Sequence, residues 1–412
     1  MEGLHKGVYF GIDISDRYTM VSFYQQNMDE PNTISTVVGS EAYQIPTFVA
    51  KKLGISQWYY GKEAETQVSM NQATGVDNLF TRALNDEMVT IEAEVISARD
   101  LLALFLKRLI GMSGRFDPSK MLSKLTFVTD EVTIKHVELF SYVAEKLQVT
   151  EKQLMLIDHK ESFYYYSLNQ DPRLFQQDVM LYDYTDGVIK YSLLQRNQNT
   201  RPQIINFIEG EYEVNVTDID TEFLSIVKTD FNGRSISAVY LVGSGFDGDW
   251  LKLSLTEICR GRRAFMGKNL YSKGACYAGA VKDSLIDWPF IYIGDNEMKL
   301  NLSLKVIDGN EMKFKTLITA GEPWFDAFGE CEVILDGTPE IEVWIQKPDS
   351  REAKIQVLEL TDLPERESRT TRLRISAKPT SDFACDIEIK DMGFGDIIPS
   401  SGKTFKHSIE LI

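Results

Sequence analysis

Cysteine, histidine and long apolar runs are scarce in this chain of 412 residues, and each scarcity excludes a class of function. The four cysteines are far apart without a C-x-x-C pair, so we expect buried free thiols, no zinc site and a reducing cytoplasm. The histidines are scattered and indicate neither a metal site nor acid–base catalysis: they are His5, His136, His159 and His407. No run approaches the roughly 20 apolar residues of a membrane helix, and residues 1–6 do not resemble a signal peptide.

Positive charge is also in deficit. The chain has 44 Lys and Arg against 61 Asp and Glu, which gives a net charge of -17. Phosphate backbones and anionic lipids are bound by clustered Lys and Arg, so we expect no nucleic-acid partner and no membrane partner. One basic run stands out, Arg260-Gly261-Arg262-Arg263. We interpret it as the solvated end of a helix, and the alternative is a docking point for an acidic partner.

Strand-like and helix-like segments alternate over residues 1–283. A helical stripe of leucine and phenylalanine predicts a helix over 100–112, and a second stripe predicts a helix over 131–147 that packs on a sheet through Val137, Phe140, Ala144 and Leu147. A third helix over 160–168 includes Tyr164, Tyr165 and Tyr166, which we interpret as packing residues; a stacking surface for a ligand is the alternative. The alternation predicts an α/β domain with a largely parallel core.

The pattern changes to alternation of apolar and polar residues over 288–412. Examples are Ile341–Ile345 and Phe383–Ile389, separated by turn residues such as those in Asp336-Gly337-Thr338. This predicts an all-β sandwich, whose open edge is able to accept an extended peptide. Candidate peptide-binding residues are Phe325, Phe328 and Trp344, with core packing as the alternative for each.

Three segments run from an apolar strand into a turn that bears Asp or Gly: Phe10–Ser15, Leu181–Gly187 and Leu241–Gly245. Their order and shape resemble the 70-kilodalton heat-shock chaperone family, whose ATPase domain has the actin-like, ribonuclease H-like fold. The resemblance is weak at each residue but extends along nearly the whole chain. Further matching segments are Ile45–Ala50, Leu154–Ser167, Tyr271–Ala280, the linker-like Val281–Asp287, and Val357–Pro364 in the sandwich.

The resemblance implies positions for a nucleotide and for its metal. Asp13 and Asp183 are placed to hold Mg²⁺ through water, although two aspartates at strand ends are also common turn residues. Gly187 matches the second phosphate loop, and Gly243, Ser244 and Gly245 match the adenosine segment. The family's helical lid would begin beyond the last residue given, so none is expected.

Several residues depart from the family's pattern where the chemistry occurs. Ser15, Asp16 and Arg17 stand in the first phosphate loop, where Asp16 would repel a phosphate. Thr185, Asp186, Val188 and Lys190 replace glycines, a hydroxyl and an acid of the second loop, and His159 replaces the acid that positions water. Residues 188–238 are too few for the subdomain that clamps the adenine. We therefore predict a pseudo-ATPase.

The sequence predicts a chaperone-like pseudo-ATPase that binds a protein or an unfolded peptide as a scaffold, without efficient hydrolysis and without a catalytic residue. We expect no bound cofactor, with ATP and Mg²⁺ as the alternative. A slow ATP-binding chaperone and an actin-like assembly component remain open as alternatives.

Overall fold

A computed structural model describes most of the chain. The described residues are 7–37, 39–113, 121–214, 216–309, 311–348, 350, 352–395 and 397–410. His5 and the segment interpreted as lacking a signal peptide lie outside them. The chain divides into two units. Unit 1 comprises the described residues up to Arg196 together with Phe207–Pro289, and unit 2 comprises Asn197–Asn206 and the described residues from Phe290 onward.

The strands up to residue 266 range in length from two residues to eleven residues. In chain order the strands up to residue 266 are β1 Val8–Ile14, β2 Tyr18–Tyr24, β3 Asn32–Thr33, β4 Ile45–Pro46, β5 Val49–Lys52, β6 Trp58–Tyr60, β7 Ala73–Val76, β8 Met88–Ile91, β9 Glu94–Ser97, β10 Leu122–Thr129, β11 Leu154–Asp158, β12 Asp178–Thr185, β13 Val188–Asn197, β14 Gln203–Glu213, β15 Ile236–Val242 and β16 Arg263–Met266.

The helices of the described residues all belong to unit 1. They are α1 Gly61–Ser69, α2 Leu79–Leu84, α3 Ala98–Gly111, α4 Ile134–Lys146, α5 His159–Leu168, α6 Ile219–Phe231, α7 Leu253–Ile258 and α8 Leu270–Lys282. None of them has the length and apolar character needed to cross a lipid bilayer.

Unit 1 repeats one arrangement of strands twice. The first sheet has the order β11-β10-β1-β2-β3, with β1 antiparallel to β2 and parallel to β10. In the second sheet the corresponding order is β16-β15-β12-β13-β14, with β12 antiparallel to β13 and parallel to β15. Every residue of β1 is buried, because this strand lies at the centre of the sheet between β10 and β2. The repeat is one of topology, which explains why no tandem repeat is visible in the sequence.

Helix α8 packs tightly against β1 and α5, and two glycines make this possible. A Cβ atom added at Gly11 would lie 2.0 Å from the Ser272 carbonyl oxygen, and one added at Gly274 would lie 2.1 Å from the Ser162 carbonyl oxygen. Ser22 and Ser272 then share a hydrogen bond of 2.8 Å between their hydroxyls. Gly11, which resembles part of a phosphate loop, is therefore required for the packing of a helix.

Helix α4 begins later than predicted, but the predicted stripe does face the core. It begins at Ile134 because Thr133 and His136 form a capping box there. The predicted stripe faces the core: Phe140 and Ala144 are buried, and Val137 and Leu147 are partly buried and pack against the core. His136, Leu139 and Val143 complete the buried face.

The tyrosine run of α5 packs within unit 1. Tyr164 is buried, and the ring of Tyr166 meets that of Tyr240 edge to face at 5.7 Å. Both observations agree with the interpretation of these residues as packing residues.

Unit 2 contains two antiparallel sheets of four strands that share one core. Its strands are β17 Phe290–Tyr292, β18 Asn301–Asp308, β19 Glu311–Ile318, β20 Gly329–Leu335, β21 Glu340–Gln346, β22 Ala353–Glu359, β23 Thr371–Ser381, β24 Ala384–Asp391 and β25 Thr404–Glu410. The sheet orders are β19-β18-β21-β22 and β20-β23-β24-β25. Alternate residues of both sheets, such as Val343 and Ile375, form the core between them.

The start of unit 2 differs from the sequence prediction in two ways. Gln203–Ile205, the first residues of β14, pair in parallel with Phe290–Tyr292 of β17, so a short segment well before residue 288 belongs to this unit. In addition, Val281 and Lys282 are the last residues of α8. The first two residues of the linker-like segment are therefore helical.

Candidate functional site

The two aspartates singled out in the sequence occupy equivalent positions in the repeated sheets. Asp13 is the sixth residue of β1, and Asp183 is the sixth residue of β12. Each strand then enters a tight hairpin, to β2 in one case and to β13 in the other. These two strand ends, the following loops and the first turn of α5 form the candidate site, which we call the Asp13–Asp183 centre.

The first loop, Ser15–Arg17, is closed by its own hydrogen bonds. The Ser15 amide and hydroxyl both donate to the Tyr18 carbonyl, at 3.0 and 3.1 Å. The Asp16 carboxylate accepts the amide of Thr81 at 3.0 Å and also the Thr81 hydroxyl. Thr81 lies in the first turn of α2, where a negative charge is favourable. Asp16 therefore accepts hydrogen bonds from the first turn of a helix.

The second loop is a two-residue turn between β12 and β13. Asp186 and Gly187 have φ values of 51° and 83°, and Thr185 pairs with Val188 on either side of them. An Asp-Gly pair with two positive φ angles is the sequence signature of a type I′ hairpin turn. The Gly187 carbonyl accepts the Val214 amide at 3.0 Å. Gly187 is therefore explained by the hairpin alone.

His159 links carboxylates from two strand ends. Its Nε2 atom lies 2.9 Å from Oδ1 of Asp13, and its Nδ1 atom lies 3.6 Å from Oδ1 of Asp130, which follows β10. The ammonium group of Lys190, on β13, lies 3.2 Å from the other oxygen of Asp130. His159 is the first residue of α5, where Asp158 caps the helix by accepting the Glu161 amide at 2.7 Å.

The charges in this chain of contacts balance. Burial disfavours the charged imidazole, but the charge and hydrogen bond of Asp13, together with Asp130, outweigh it and raise the pKa of His159 to about 10. The adjacent His159 also holds the pKa of Asp130 well below its usual range, although burial opposes this. At neutral pH, two carboxylates therefore face one imidazolium and one ammonium group, and the four form a neutral network.

Tyr271 connects this network to Asp183. Its ring stacks on the His159 ring, with centroids 4.0 Å apart and planes 12° apart, and its hydroxyl donates to Oδ2 of Asp183 at 3.1 Å. The Thr185 hydroxyl donates to the other carboxylate oxygen at 3.0 Å. Burial, followed by the charge of Asp183, raises the pKa of Tyr271, so the phenol keeps its proton and acts as a donor. The structure thus brings Asp13 and Asp183 into one connected cluster.

The two loops are also joined by an ion pair. The guanidinium of Arg17 lies 3.1 Å from the carboxylate of Asp186, and both side chains are largely exposed. With this pair, each cation of the centre already faces a carboxylate, and Asp183 adds one further negative charge. Among the described residues, no group of three or more His, Cys, Asp or Glu side chains is arranged to hold a metal ion.

The segment that resembles an adenosine site is covered by aromatic side chains. A Cβ added at Gly245 would lie 2.1 Å from the Tyr184 ring, and one added at Gly243, where φ is 96°, would lie 2.3 Å from the Tyr184 carbonyl oxygen. Ser244 begins a single 3-10 turn. The Trp250 indole donates to the Gly245 carbonyl at 3.0 Å and stacks on Phe246, with centroids 5.9 Å apart. The glycines therefore serve close packing of the protein's own rings.

In unit 2, the three predicted peptide-binding residues differ in their exposure and in their ring contacts. Phe325 is half-buried and meets Trp324 edge to face, and Phe328 is 60% exposed just before β20. Trp344 lies on β21, with the Phe314 ring 5.0 Å away and the Lys305 ammonium 5.4 Å from its own ring centroid. Within the described residues, no ring contact joins Trp344 to either phenylalanine.

Trp344 belongs to an exposed apolar surface instead. It pairs with Ile355 of β22 on the side of the sheet opposite the core, beside Val357, which pairs with Glu342. The side chains of Phe314, Ile355 and Val357 are 57%, 46% and 48% exposed. We call Phe314, Trp344, Ile355 and Val357 the outer apolar face. Of these four residues, sequence reasoning identified only Trp344.

Sequence reasoning also missed part of the centre. It identified His159 and Lys190 as departures from a family pattern but did not identify their common partner, Asp130, or the stacking residue Tyr271. A signal for Asp130 exists, because it directly follows the buried strand β10, and the carboxyl ends of parallel strands meet at one edge of a sheet. Tyr271 gives no such signal, since its position depends on the docking of α8.

Comparison with known protein families identifies both parts of the chain. Residues 30–295 match the family described as family of unknown function (DUF5716) C-terminal, and residues 297–411 match the domain of unknown function DUF8552. The first match covers more than half of the chain, so the protein belongs to the DUF5716 family. A search of curated proteins gave no match.

Proposed function

We propose that this protein is a chaperone-like pseudo-ATPase: a scaffold in which an actin-like unit 1 has lost nucleotide turnover and unit 2 binds polypeptide. The observation that carries the proposal is the bridge from Asp13 through His159 to Asp130, with Lys190 as the fourth member. The repeated strand order of unit 1, with an aspartate at the same position of each central strand, supports the actin-like assignment.

The balance of charge argues against nucleotide binding at the Asp13–Asp183 centre. A nucleoside triphosphate brings about four negative charges and is held by free cations, by backbone amides or by Mg²⁺. Here the cations are already paired, Asp183 contributes an additional negative charge, and both loops are tight hairpins closed by their own hydrogen bonds. Binding would require the protein to break its own ion pairs, and that cost weakens affinity.

The outer apolar face is the surface that we assign to a polypeptide. Phe314, Ile355 and Val357 are exposed and Trp344 is partly exposed on one face of a sheet, and apolar patches of this kind often mark a binding site. Trp344 is the central member, since it contacts Phe314 on one side and pairs with Ile355 on the other. Tryptophan is strongly enriched among the residues that dominate binding energy.

The test measures binding of a fluorescently labelled, reduced and carboxymethylated polypeptide to the full chain by anisotropy. We expect saturable binding that Mg²⁺-ATP leaves unchanged. The substitution Trp344→Ala should weaken binding by ~10-fold or more, which corresponds to ~1.4 kcal/mol or more.

A matched control uses Phe383, which is 50% exposed on unit 2 but lies outside the outer apolar face. Phe383→Ala should leave the affinity within ~2-fold of the parent. Release of the polypeptide on addition of Mg²⁺-ATP would contradict the scaffold proposal and favour a nucleotide-driven chaperone. An equal loss of affinity in both variants would contradict the assignment of polypeptide binding to the outer apolar face.

A further inference from the structure

Three residues of the basic run, Gly261, Arg262 and Arg263, line a cavity of about 480 Å³ in unit 1. This volume suits a small molecule rather than a macromolecule. Its polar lining residues are Arg173, Gln176, Gln177, Ser237, Arg262 and Arg263. None of these residues belongs to the Asp13–Asp183 centre, so the cavity is a separate site.

Three elements converge on this cavity. Arg173 lies in the single 3-10 turn Pro172–Phe175, Ser237 lies in β15, and Arg263 is the first residue of β16, where it pairs with Ala238. The Ser237 hydroxyl oxygen accepts the Gln177 amide at 2.8 Å, which leaves the hydroxyl proton available to a ligand. The site therefore combines guanidinium, carboxamide and hydroxyl groups from segments that are far apart in the sequence.

The arginines of the cavity are held in place to different degrees. Arg262 is fixed, because its guanidinium lies 4.3 Å over the Phe231 ring and donates to the carbonyls of Glu257 and Arg260 at 3.3 Å. Arg173 forms an ion pair of 2.6 Å with Asp171. Arg263 is exposed. Carboxylates are absent from the described lining, so Asp171, next to it, offsets only one of the three positive charges.

This concentration of positive charge is unusual in a chain whose net charge is -17. Guanidinium groups bind phosphate oxygens in a two-pronged geometry and remain charged at every physiological pH. Carboxamide and hydroxyl donors match the remaining oxygens of a phosphoryl group. An apolar ligand, by contrast, would find few partners in this lining.

We propose that this cavity, which we call the arginine cavity site, binds the phosphoryl group of a small phosphorylated molecule. Arg262 provides a preorganised cation, and Arg263 and Arg173 complete the contacts with the oxygens of the phosphoryl group. This site does not depend on the proposed pseudo-ATPase function, since it shares no residue with the Asp13–Asp183 centre or with the outer apolar face.

Calorimetric titration of sodium pyrophosphate and of glycerol 3-phosphate into the full chain, at low salt and without Mg²⁺, tests the proposal. We expect dissociation constants below ~1 mM. Arg263→Gln and Arg173→Gln should each weaken binding by ~10-fold or more, because each removes a charge-assisted hydrogen-bond donor. The ligand that binds more tightly identifies whether a diphosphate or a monoester is preferred.

Arg260→Gln is the matched control. Arg260 belongs to the same basic run, but its side chain is 72% exposed, pairs with Glu257 and does not line the cavity. This variant should retain the affinity within ~3-fold. The proposal is overturned if neither phosphate compound binds up to ~10 mM, if Arg260→Gln weakens binding as much as Arg263→Gln, or if citrate binds as tightly as pyrophosphate. Circular dichroism and thermal unfolding establish that each variant is folded.

Discussion

At the scale of the residue, His159 determines the balance of charge in the Asp13–Asp183 centre. With 22% of its side chain exposed, it pairs with a carboxylate that is 10% exposed, and its ring is covered by Tyr271. An acidic residue at this position would leave Asp13 and Asp130 facing another negative charge, which a bound cation would have to offset. Histidine instead supplies the positive charge from the protein itself.

Replacement of His159 by glutamine should destabilise the protein. His159→Gln leaves the buried Asp13 carboxylate without its cation, and we expect a loss of about 2–4 kcal/mol in the free energy of unfolding at pH 7. Urea denaturation measures this loss. The double variant Asp13→Asn/His159→Gln should lose at least ~1 kcal/mol less than the sum of the two single changes. If the two single losses in the free energy of unfolding simply add, the ion pair between Asp13 and His159 does not stabilise the protein.

The pH dependence of stability provides a second test of His159. Its pKa is about 10 in the folded protein, above the ordinary value of 6.5. A raised folded-state pKa contributes stability that is complete below the unfolded value and is lost as pH rises through the folded value. The advantage of the parent protein over His159→Gln should therefore be largest near pH 6 and shrink toward pH 10–11. An advantage that stays constant across this range would contradict a charged His159.

At the scale of the element, strands and long helices were more predictable from sequence than their contacts. The stripe of apolar residues over 100–112 corresponds to α3 at Ala98–Gly111, because a long periodic segment identifies its own structure. The pairing of β14 with β17 was not predicted, because only three residues of each strand pair and they are more than 80 residues apart in the sequence. Tyr271 was missed for the same reason, because the docking of α8 positions it, whereas Asp130 has a local signal in its place directly after β10.

The close packing of α8 on β1 gives a prediction for Gly11. Gly11→Ala should destabilise unit 1 by about 2 kcal/mol or more, because the added methyl group would overlap the Ser272 carbonyl oxygen. Thermal unfolding measures the effect. Gly111→Ala is the control, since Gly111 ends α3 and a Cβ there would meet no atom within 4 Å. The control should be neutral or stabilising by up to ~1 kcal/mol, and equal destabilisation by both would contradict the packing argument.

A buried ion pair joins a loop of unit 2 to the last residue of β24. Arg366 donates to both oxygens of Asp391 at 2.9 and 2.8 Å, and the Asp391 carboxylate, which is fully buried, also accepts the amides of Gly393 and Ser401. Although burial opposes ionisation, these donors hold the pKa of Asp391 below its usual range. Its stabilising effect is therefore present above the ordinary carboxyl pKa and is lost as pH falls further.

Removal of this carboxylate should be costly. Asp391→Ala leaves the Arg366 guanidinium without its buried partner and should lower the free energy of unfolding by about 3–5 kcal/mol. Asp336→Ala removes the partner of Arg369 in a pair whose side chains are 42% and 74% exposed, so its effect on the free energy of unfolding should be much smaller. Chemical denaturation measures the free energy of unfolding of both variants. Similar losses would show that burial does not distinguish the two ion pairs.

At the scale of the whole molecule, we propose separate roles for separate surfaces. In this proposal the Asp13–Asp183 centre is a structural cluster of balanced charges, the outer apolar face of unit 2 binds polypeptide, and the arginine cavity site binds a phosphoryl group. The first role rests on residues that the sequence already marks as departures from the family pattern, above all His159 and Lys190. The other two depend on which side chains the fold leaves exposed together, and no local pattern reveals that.

The most direct test of the central claim is a calorimetric titration of Mg²⁺-ATP into the variant Arg173→Gln/Arg263→Gln, in which the arginine cavity site is disabled. We predict no heat of binding up to several millimolar and no rise in the unfolding temperature. A ligand that binds with a dissociation constant of ~100 μM would instead stabilise the protein by ~1 kcal/mol or more at such concentrations. A clear binding signal that Asp13→Ala abolishes would contradict the account.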